Sequence, residues 1–498
     1  MMLQSVRQCC VDLPDRNAFF IQDKFYAYRA FAEAIGAIRD RLESEFASEQ
    51  NIGVLAYDDI ETYSSVFAVW FSGKTIVPLA PTNPPDRNAG IIEQAGLRVV
   101  LSSRNIGGFA GLGSREHYRF VLTAGIARPG VVLEPPRTNA GEDVAYILFT
   151  SGSTGFPKGV PISHAALQSF IDAFAALGYD IGANDRFLQM FELTFDLSLM
   201  SYCVPLALGA CVYTVPSDTV KPMYICRLLE EQQITCALMV PSILAHLRPF
   251  FGEIYLDKMR YSLFCGEALY DDLVVEWSAC VPNARVQNVY GPTEATIFCL
   301  TYDCQRGRPH KAHNGVVSIG RPMRAMGVLL VDEELRPVGP GEKGELCLTG
   351  PQLTRGYWNN PEKNREAFFS RQDKHYYRTG DVCLQDFEGD VMYCGRTDHQ
   401  VKIQGFRVEL GEIEHHVRDI TGLKQVAAVN CPDAAGNTTI HLFVEDSGGD
   451  IPEMLARLRT KLPPYMMPVR TVSLAALPLN ANGKIDRSAL VRRARDRS

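Results

Sequence analysis

Residues 146–159 read YILFTSGSTGFPKG, an apolar run that passes into a loop of serine, threonine, glycine and one lysine. The apolar run predicts a buried strand. Glycines let a backbone approach a ligand closely, while hydroxyls, amide N–H groups and a lysine suit phosphate oxygens. The Walker pattern G-x-x-x-x-G-K-[ST] cannot be laid over this loop. A solvated glycine-rich turn is the plain alternative, but the run of hydroxyls closed by Pro157-Lys158-Gly159 favours a loop that holds phosphate.

Strand-like and helix-like segments alternate through the first half of the chain. The alternation is clear at 51–56, 63–71 and 75–79, and again at 235–240 and 242–250. This pattern is typical of parallel sheets whose strands are joined by crossover helices. The N-terminal part is therefore predicted to be α/β.

The pattern changes twice nearer the C-terminus. Short strand-like runs separated by glycine and proline predict a β-rich subdomain over about residues 316–395. Further on, Leu410, Ile413 and Val417 recur at helical spacing, and strand-like runs follow them. Residues 398–498 are therefore predicted to form a small α+β unit.

Length and charge restrict the class of protein. At 498 residues the chain exceeds what one hydrophobic core holds, so two or more domains are expected. A hydrophobic content of 46% and a charged content of 21% are ordinary for a soluble globular protein. The net charge of −7 argues against nucleic acid as the main partner, because binding it needs a concentrated basic face.

The cysteines and the apolar runs bear on the compartment. The 14 cysteines include no C-x-x-C and lie mostly in apolar runs, so they are interpreted as core residues in a reducing compartment. The longest apolar runs, such as 66–71, are too short to cross a bilayer, and charged residues interrupt any signal-peptide core near the N-terminus. We therefore expect a cytoplasmic protein without membrane insertion.

Further motifs follow the loop in a fixed order. They are FDLS (195–198), GEAL (266–269), NVYGPTE (288–294), YRTGD (377–381), GRTD (395–398), KIQGFR (402–407) and NGKIDR (482–487). Together with the loop at 150–159 they resemble the adenylate-forming enzymes, which include acyl-CoA synthetases, luciferases and the adenylation domains of nonribosomal peptide synthetases.

The resemblance implies a fold of two domains. The large N-terminal domain, residues 1–397, would hold two parallel-type α/β sheets and a small β-barrel subdomain. Residues 398–498 would form a mobile α+β lid that rotates about a hinge at Asp398. A polar segment between two strand-like runs at that point is consistent with a hinge.

The resemblance also implies that ATP and Mg²⁺ are bound. The implied ATP-binding residues are Thr150, Ser151, Ser153, Thr154, Lys158, Gly266, Glu267, Ala268, Asn288, Tyr290, Gly291, Asp381 and Arg396. Those of the loop surround the β- and γ-phosphates. Tyr290 stacks on adenine, Asn288 reads its amino group, and Asp381 binds the ribose hydroxyls with Arg396 nearby.

Three residues are implied to be catalytic. Glu294 ligates Mg²⁺ and Thr293 contacts the α-phosphate. Lys484 enters the closed site between the substrate carboxylate and the α-phosphate, where its charge stabilises the transition state. Taken alone, a lysine in Asn-Gly-Lys would be the exposed tip of a turn, but the residues at 485–487 complete the motif and favour the functional interpretation.

The FDLS motif bears on the substrate class. An aspartate in an apolar segment needs a partner, and in amino-acid-activating members of the family it pairs with the α-ammonium group. A helix N-cap is the alternative role for Asp196. The rest of the implied pocket is uncharged and bulky, which predicts a small uncharged amino acid. Its residues are Leu197, Met200, Leu238, Leu263, Cys265, Val289, Ile297 and Phe298.

Within the family, the resemblance is greatest to the D-alanine–carrier-protein ligases. Because Leu238, Val289 and Phe298 are larger or more apolar than is usual there, glycine, L-alanine, serine and proline stay open beside D-alanine. Few residues follow Arg487, so a phosphopantetheine carrier protein is expected in trans. An acyl- or aryl-CoA ligase and a catalytically dead binding module are the alternatives; Asp196 argues against the first.

Overall fold

The structure is a computed structural model that describes residues 2–105, 118–137, 140–152, 157–216, 219–423, 425–433, 435–445, 450–480 and 485–495. Three predicted site residues, Ser153, Thr154 and Lys484, lie outside the described residues.

The elements of the first half of the chain alternate as the sequence predicts. They are α1 (Met2–Asp12), β1 (Asn17–Ile21), β2 (Lys24–Ala27), α2 (Tyr28–Glu45), β3 (Asn51–Leu55), α3 (Ile60–Phe71), β4 (Thr75–Leu79), α4 (Pro85–Ala95), β5 (Val99–Ser102), β6 (Arg119–Leu122), β7 (Val144–Thr150), β8 (Lys158–Ser163), α5 (His164–Ala175), β9 (Arg186–Gln189), α6 (Leu197–Ala207), β10 (Cys211–Thr214), α7 (Lys221–Glu231), β11 (Cys236–Met239) and α8 (Pro241–Leu247).

The second half is richer in strands. Its elements are β12 (Tyr261–Phe264), α9 (Asp271–Cys280), β13 (Arg285–Tyr290), β14 (Leu300–Asp303), β15 (Ala312–His313), β16 (Val316–Val317), β17 (Arg321–Pro322), β18 (Gly327–Val331), β19 (Lys343–Thr349), α10 (Pro361–Ala367), β20 (Phe368–Arg371), β21 (Lys374–Gln385), β22 (Val391–Arg396), β23 (Gln400–Ile403), β24 (Phe406–Glu409), α11 (Leu410–Thr421), β25 (Val426–Pro432), β26 (Thr438–Glu445), α12 (Ile451–Leu458), β27 (Arg470–Leu474) and α13 (Arg487–Arg495).

Two large sheets form the N-terminal domain. The six-stranded sheet has the order β6-β5-β3-β4-β7-β8 and is parallel except for the last pair. Its strands β4 and β5 are buried throughout, as expected for strands covered on both faces. Helix α3 is buried along its whole length, and the side chain of Asp59 caps its first turn. The apolar run of the opening stretch is β7, a strand of this sheet.

The nine-stranded sheet has the order β17-β14-β13-β12-β11-β9-β10-β1-β2. Its central strands, from β1 to β13 along that order, are parallel. The carboxyl ends of parallel strands carry ligand sites in α/β folds. Strands β12 and β13 end at Phe264 and Tyr290, so the GEAL and NVYGPTE motifs lie at this edge of the sheet.

The β-rich segment is a five-stranded antiparallel sheet. Strands β18, β19, β21 and β20 follow one another in it, and β22 also pairs with the long strand β21. Pairing of β21 with β22 places Asp381 opposite Arg396. Two separate sequence motifs therefore meet on adjacent strands.

The C-terminal unit is α+β. A hairpin of β23 and β24 precedes α11, and β25, β26 and β27 form a three-stranded sheet. These elements bury apolar clusters of their own, one of them around Ile413, Val426 and Leu458. The predicted domain boundary falls in the short connection between Arg396, where β22 ends, and Gln400, where β23 begins. We call residues 398–495 the lid below.

The predicted fold class is confirmed: two α/β sheets, a small β-rich subdomain and a small C-terminal α+β unit. Within the described ranges, no helix combines the length and the apolar character needed to span a membrane.

Candidate active site

A cavity of about 230 Å³ lies where the nine-stranded sheet, the β-rich subdomain and the lid meet. Many predicted ATP-binding residues line it, together with residues that the sequence analysis did not select. The predicted ATP-binding ones are Gly266, Glu267, Ala268, Asn288, Tyr290, Gly291, Asp381 and Arg396, and Val289 of the predicted substrate pocket lies beside them. The additional ones include Val316, Ile319, Thr379, Tyr393, Gln400, Lys402, Arg407, Asn430 and Thr438.

Asn288 is oriented by the backbone. Its side-chain Nδ2 donates to the carbonyl of Val317 at 3.3 Å and to that of Ser318 at 3.0 Å. Since an amide nitrogen has two hydrogens, both are used, and the side-chain oxygen is left as an acceptor. An acceptor there suits the amino group of adenine, which is the predicted role.

Asp381 lies at the centre of a polar network. Tyr290 donates its hydroxyl to Oδ2 of Asp381, and Arg396 donates to Oδ1. Each carboxylate oxygen can accept a further hydrogen bond, so ribose hydroxyls can still be bound. Arg396 also contacts Asp398, through Nε to Oδ1 at 2.7 Å and Nη2 to Oδ2 at 2.8 Å. The predicted hinge residue and the predicted ribose ligand therefore share one guanidinium group.

The described part of the phosphate loop contacts the lid. The hydroxyl of Ser151 donates to the carbonyl of Arg407 at 2.7 Å and accepts from the N–H of Glu409 at 3.2 Å. Lys158 lies 3.8 Å from Oε1 of Glu409. Burial, followed by the positive charge of Arg407, lowers the pKa of Lys158 to about 8. The hydroxyl of Thr150 is buried and has no hydrogen-bond partner among the described residues.

Glu294 is buried and carries an ion pair. Nη1 of Arg407 lies 3.0 Å from its Oε1 and 2.9 Å from its Oε2, and Tyr357 donates to Oε1 at 2.7 Å. Burial alone would raise the pKa of Glu294, but the charge of Arg407 outweighs it and lowers the pKa to about 2. Glu294 is thus ionised at any ordinary pH.

Oxygen donors from Glu294 and phosphate are the type that Mg²⁺ prefers, so the residues fit the metal by their chemistry. With Arg407 on both carboxylate oxygens, however, a guanidinium group lies where the sequence analysis places Mg²⁺. Three other carboxylates, those of Asp386, Glu388 and Asp390, lie close enough together to share a cation, but the ammonium group of Lys311 already contacts all three at 2.6 to 2.7 Å.

Asp196 is a buried carboxylate in a different environment. It stands at the N-cap position of α6, yet its side chain makes no capping hydrogen bond. Its Oδ2 has no hydrogen-bond partner in the described part of the chain, and the residue is only 3% exposed. Burial raises its pKa from 3.8 to about 6, against the opposing charge of Lys402. Asp196 therefore occupies the N-cap position, as the alternative interpretation expects, but its side chain does not cap the helix.

The predicted wall of the substrate pocket is apolar and closed. All its members are at most 2% exposed: Leu197, Met200, Leu238, Leu263, Cys265, Val289, Ile297 and Phe298. Phe298 packs edge-on against Phe170, with ring centroids 5.0 Å apart. Burial raises the pKa of the Cys265 thiol to about 12, and the negative charge of Asp196 adds to this rise. Cys265 therefore lies near that carboxylate.

The β23–β24 hairpin inserts its turn into the core domain. The N–H of Gly405 donates to Oε1 of Glu267 at 3.0 Å, and Oε2 of Glu267 accepts from the N–H of Ser242 at 2.8 Å. Phe406 stacks on Tyr465 of the lid at 4.0 Å and on Phe195 of the core at 5.6 Å. Glu267, predicted to bind ATP, holds the lid turn in this arrangement.

The sequence analysis selected neither Arg407, Glu409 nor Glu412 as a site residue. Arg407 was visible as the last residue of the KIQGFR motif, and the two glutamates follow within five residues. The sequence around these residues does not indicate that they contact the phosphate loop, because that loop lies more than 250 residues earlier.

The sequence profile of the AMP-binding enzyme family matches residues 6–358. This chain belongs to the AMP-binding enzyme family. Among curated relatives, it is 31% identical to zwittermicin A synthase ZmaJ of Bacillus cereus, over 96% of this chain and 92% of that protein. It is 33% identical to phosphinothricin tripeptide synthetase PhsC of Streptomyces viridochromogenes, over 96% of this chain and 44% of that protein.

Some relatives are far longer than this AMP-binding family member. Bacitracin synthase 3 of Bacillus licheniformis is 32% identical over 96% of this chain, which spans 7% of that protein. Among solved structures, the Vibrio cholerae adenylation domain AlmE, in complex with glycyl-adenosine-5'-phosphate, superposes with a TM-score of 0.89. It is 25% identical and the match covers 99% of this chain and 98% of AlmE. Adenylation domains of the nonribosomal peptide synthetase type therefore share its sequence family and its fold.

Asp196→Asn should make the free protein more stable at alkaline pH. The folded-state pKa is raised, so the ionised carboxylate costs stability above pH 6 and the protonated form costs little below pH 4. A pKa difference of about 2 corresponds to roughly 3 kcal/mol. Urea unfolding should show this gain at pH 8 and a shrinking gain as the pH falls to 5. A variant less stable than wild type at pH 8 would mean that the carboxylate has a charged partner in the free protein.

Gly405→Ala should release the hairpin from the core. A Cβ atom at Gly405, which has φ of +85°, would lie 2.7 Å from Cγ1 of Val240. Gly422→Ala is the matched control, because Gly422 in the same lid has φ of +71° and no atom within 4 Å of its added Cβ. Amide hydrogen exchange of residues 405–409 should rise in the first variant and stay low in the second. Equal exchange in both would show that the close approach does not hold the hairpin.

Proposed function

We propose that this protein uses ATP to activate a small uncharged amino acid as an aminoacyl adenylate and then transfers the aminoacyl group to the phosphopantetheine thiol of a carrier protein. The observation that carries the proposal is the unpartnered carboxylate oxygen of Asp196. A buried carboxylate oxygen without a hydrogen bond is costly, and an α-ammonium group would supply that hydrogen bond and a positive charge in addition to that of Lys402.

The substrate class follows from what surrounds that carboxylate. The wall is apolar and its residues are already closely packed, with Phe298 held by Phe170 and Phe174. A charged side chain would find no counter-charge in this wall, and a bulky one would have to displace packed rings. The glycyl adenylate bound by AlmE, the relative with the same fold, supports a small amino acid.

The first step joins the amino acid carboxylate to the α-phosphate while pyrophosphate leaves. The protein positions the two reactants and neutralises negative charge. Asn288 and Tyr290 hold the adenine, Asp381 holds the ribose, and Asp196 orients the amino acid. The phosphate loop and Lys158 hold the β- and γ-phosphates. Mg²⁺ held by Glu294 would offset charge on the phosphate oxygens.

A second cavity supports a route for the carrier thiol. It has a volume of about 310 Å³ and is lined by Phe195 and Val240 of the core and by Gln404 and Phe406 of the lid. Phe195 directly precedes Asp196, so this cavity lies next to the proposed amino acid site. A long, narrow arm with a terminal thiol suits a cavity of this kind, and the structural relative PA1221 contains both adenylation and PCP domains.

Amino-acid-dependent ATP–pyrophosphate exchange is the first test. A screen of the common amino acids in both chiralities should give exchange with one or a few small uncharged ones, and only with Mg²⁺ present. Exchange with an aryl or fatty acid but with no amino acid would overturn the proposal in favour of a CoA ligase.

Asp196→Asn should raise the KM for the amino acid at least tenfold, because the α-ammonium group loses its counter-charge, a change of about 1.4 kcal/mol or more. The affinity for ATP should stay within about twofold. Ser201→Ala, in the same buried helix but with its hydroxyl bonded to the backbone of Leu197, is the control and should keep the wild-type KM. Normal amino acid use by Asp196→Asn would leave Asp196 a structural residue.

Lys484→Ala and Gly405→Ala should separate the two half-reactions. Loss of Lys484 should suppress adenylation far more than transfer from supplied aminoacyl adenylate. Gly405→Ala should do the reverse, because its added Cβ obstructs the hairpin position beside the second cavity. The measurements are pyrophosphate exchange and thioester formation on a carrier protein. Equal losses in both assays for both variants would argue against a division of labour in the lid.

A further inference from the structure

A third cavity, of about 510 Å³, lies beside the short connection between the core and the lid. Its walls come from β22, the connection itself, β23, α11, β25 and α13. It shares several lining residues with the active-site cavity, so the two cavities are neighbours: Tyr393, Arg396, Gln400, Val401 and Asn430. The third cavity is also lined by His399, Arg487, Ser488 and Arg495, which the proposed reaction does not use.

The carboxylates at the third cavity are already paired with arginines. Asp398 lines the cavity, and its two oxygens accept from Arg396 at 2.7 and 2.8 Å. Glu414 of α11 lies beside the cavity, with Oε1 2.6 Å from Nη1 of Arg487 and Oε2 3.1 Å from Nη2 of Arg418. Each of these negative charges is therefore matched by a guanidinium group within the protein.

Two side chains that carry or can carry positive charge have no such partner. Within the described part of the chain, neither the exposed Arg495 of α13 nor His399 of the connection makes a side-chain hydrogen bond or an ion pair. Arg487 contacts Glu414 and the carbonyl of Ala428 through Nη1 alone, and a guanidinium group has five N–H donors. The cavity therefore presents unused cationic donors from two elements.

His399 and Arg487 are close enough to repel each other. Burial, followed by the positive charge of Arg487, lowers the pKa of His399, although the charges of Glu414 and Asp398 act in the opposite direction. An anion bound between the imidazole and the guanidinium group would remove this repulsion and would favour the protonated imidazole.

We propose that the third cavity is a binding site for a phosphate-type oxyanion, held by Arg495 and Arg487 of α13 and by the imidazole of His399 in the connection. Arginine suits this ligand because its planar group donates two parallel hydrogen bonds to an oxyanion. The bound anion joins the last helix of the lid to the connection, so it restrains residues 397–400. The site does not depend on the proposed function, because none of its three ligands takes part in that chemistry.

Inorganic phosphate is the first probe, and the imidazole of His399 reports its binding. In protein with selectively labelled histidines, the His399 signal is the one that is missing from the spectrum of His399→Gln. Phosphate should shift this signal to saturation and raise the imidazole pKa, because a neighbouring anion favours the cation. Sulfate, which does not titrate near neutral pH, should bind more tightly at pH 6 than at pH 8. A His399 signal that neither anion moves would overturn the proposal.

Two arginines of the same helix provide matched variants. Arg495→Gln removes a charge that lines the cavity, whereas Arg492→Gln removes an exposed charge of α13 that does not line it. Phosphate affinity, read from the His399 signal, should fall about threefold or more in the first variant. It should be unchanged in the second. Equal losses would indicate a general attraction to a basic helix and would overturn the proposal.

The phosphate group can be free phosphate or part of a nucleotide, because the third cavity adjoins the nucleotide side of the active site. If adenosine 3',5'-bisphosphate shifts the His399 signal and AMP does not, the ligand is a nucleotide phosphate. If neither nucleotide shifts it and inorganic phosphate still does in the presence of AMP, the ligand is free phosphate. Phosphate binding that AMP abolishes would place the anion in the active-site cavity and would overturn the proposal.

Hydrogen exchange tests the link between α13 and the connection. The N–H of Gln400 donates to Oδ1 of Asp398 at 3.1 Å, so this amide reports the order of the connection. Saturating phosphate should slow the exchange of residues 397–400 in the wild-type protein and should have less effect in Arg495→Gln. Unchanged exchange in the wild-type protein at saturation would overturn the restraint.

Discussion

The ion pair between Arg407 and Glu294 determines how the lid meets the core. It joins two groups that are 113 residues apart and almost wholly buried. Charges of this kind are stable inside a protein only when their geometry is good and further hydrogen bonds complete it. Tyr357 supplies one such bond to Glu294, and Gln400 accepts one from Arg407. Removing either ion would leave the other uncompensated, which typically costs about 3 to 5 kcal/mol.

Two buried carboxylates of this site, those of Glu294 and Asp196, have pKa values shifted in opposite directions because their surroundings differ. Glu294 has a guanidinium group on both oxygens, and its pKa falls to about 2. Asp196 has an oxygen without a partner, and burial raises its pKa to about 6. The first is satisfied by the protein itself in the docked arrangement. The second keeps one oxygen without a hydrogen-bond partner in the described chain, although Lys402 supplies an opposing charge, and this free oxygen marks it as a place for a ligand cation.

Arg396 links the nucleotide side of the cavity to the start of the lid. It donates to Asp381 on one strand, to Asp398 in the connection, and to Gln400 at the beginning of β23. Burial by itself would lower the pKa of Arg396. The hydrogen bond to Asp398 and the charge of Asp381 outweigh burial and raise the pKa, so the guanidinium group stays charged. A ligand that binds Asp381 therefore lies beside Arg396, whose guanidinium group also donates to the connection to the lid.

The sequence by itself determined the fold class, and it predicted many of the residues that line the active-site cavity. The glycine- and hydroxyl-rich loop, the alternating α/β pattern and the helical spacing of Leu410, Ile413 and Val417 are local properties, so short segments are enough to recognise them. Tertiary structure alone decided which groups face one another. It brought Arg407 to Glu294 and left Asp196 without a capping bond, because the position of the lid and the burial of a side chain depend on contacts between residues far apart in the chain.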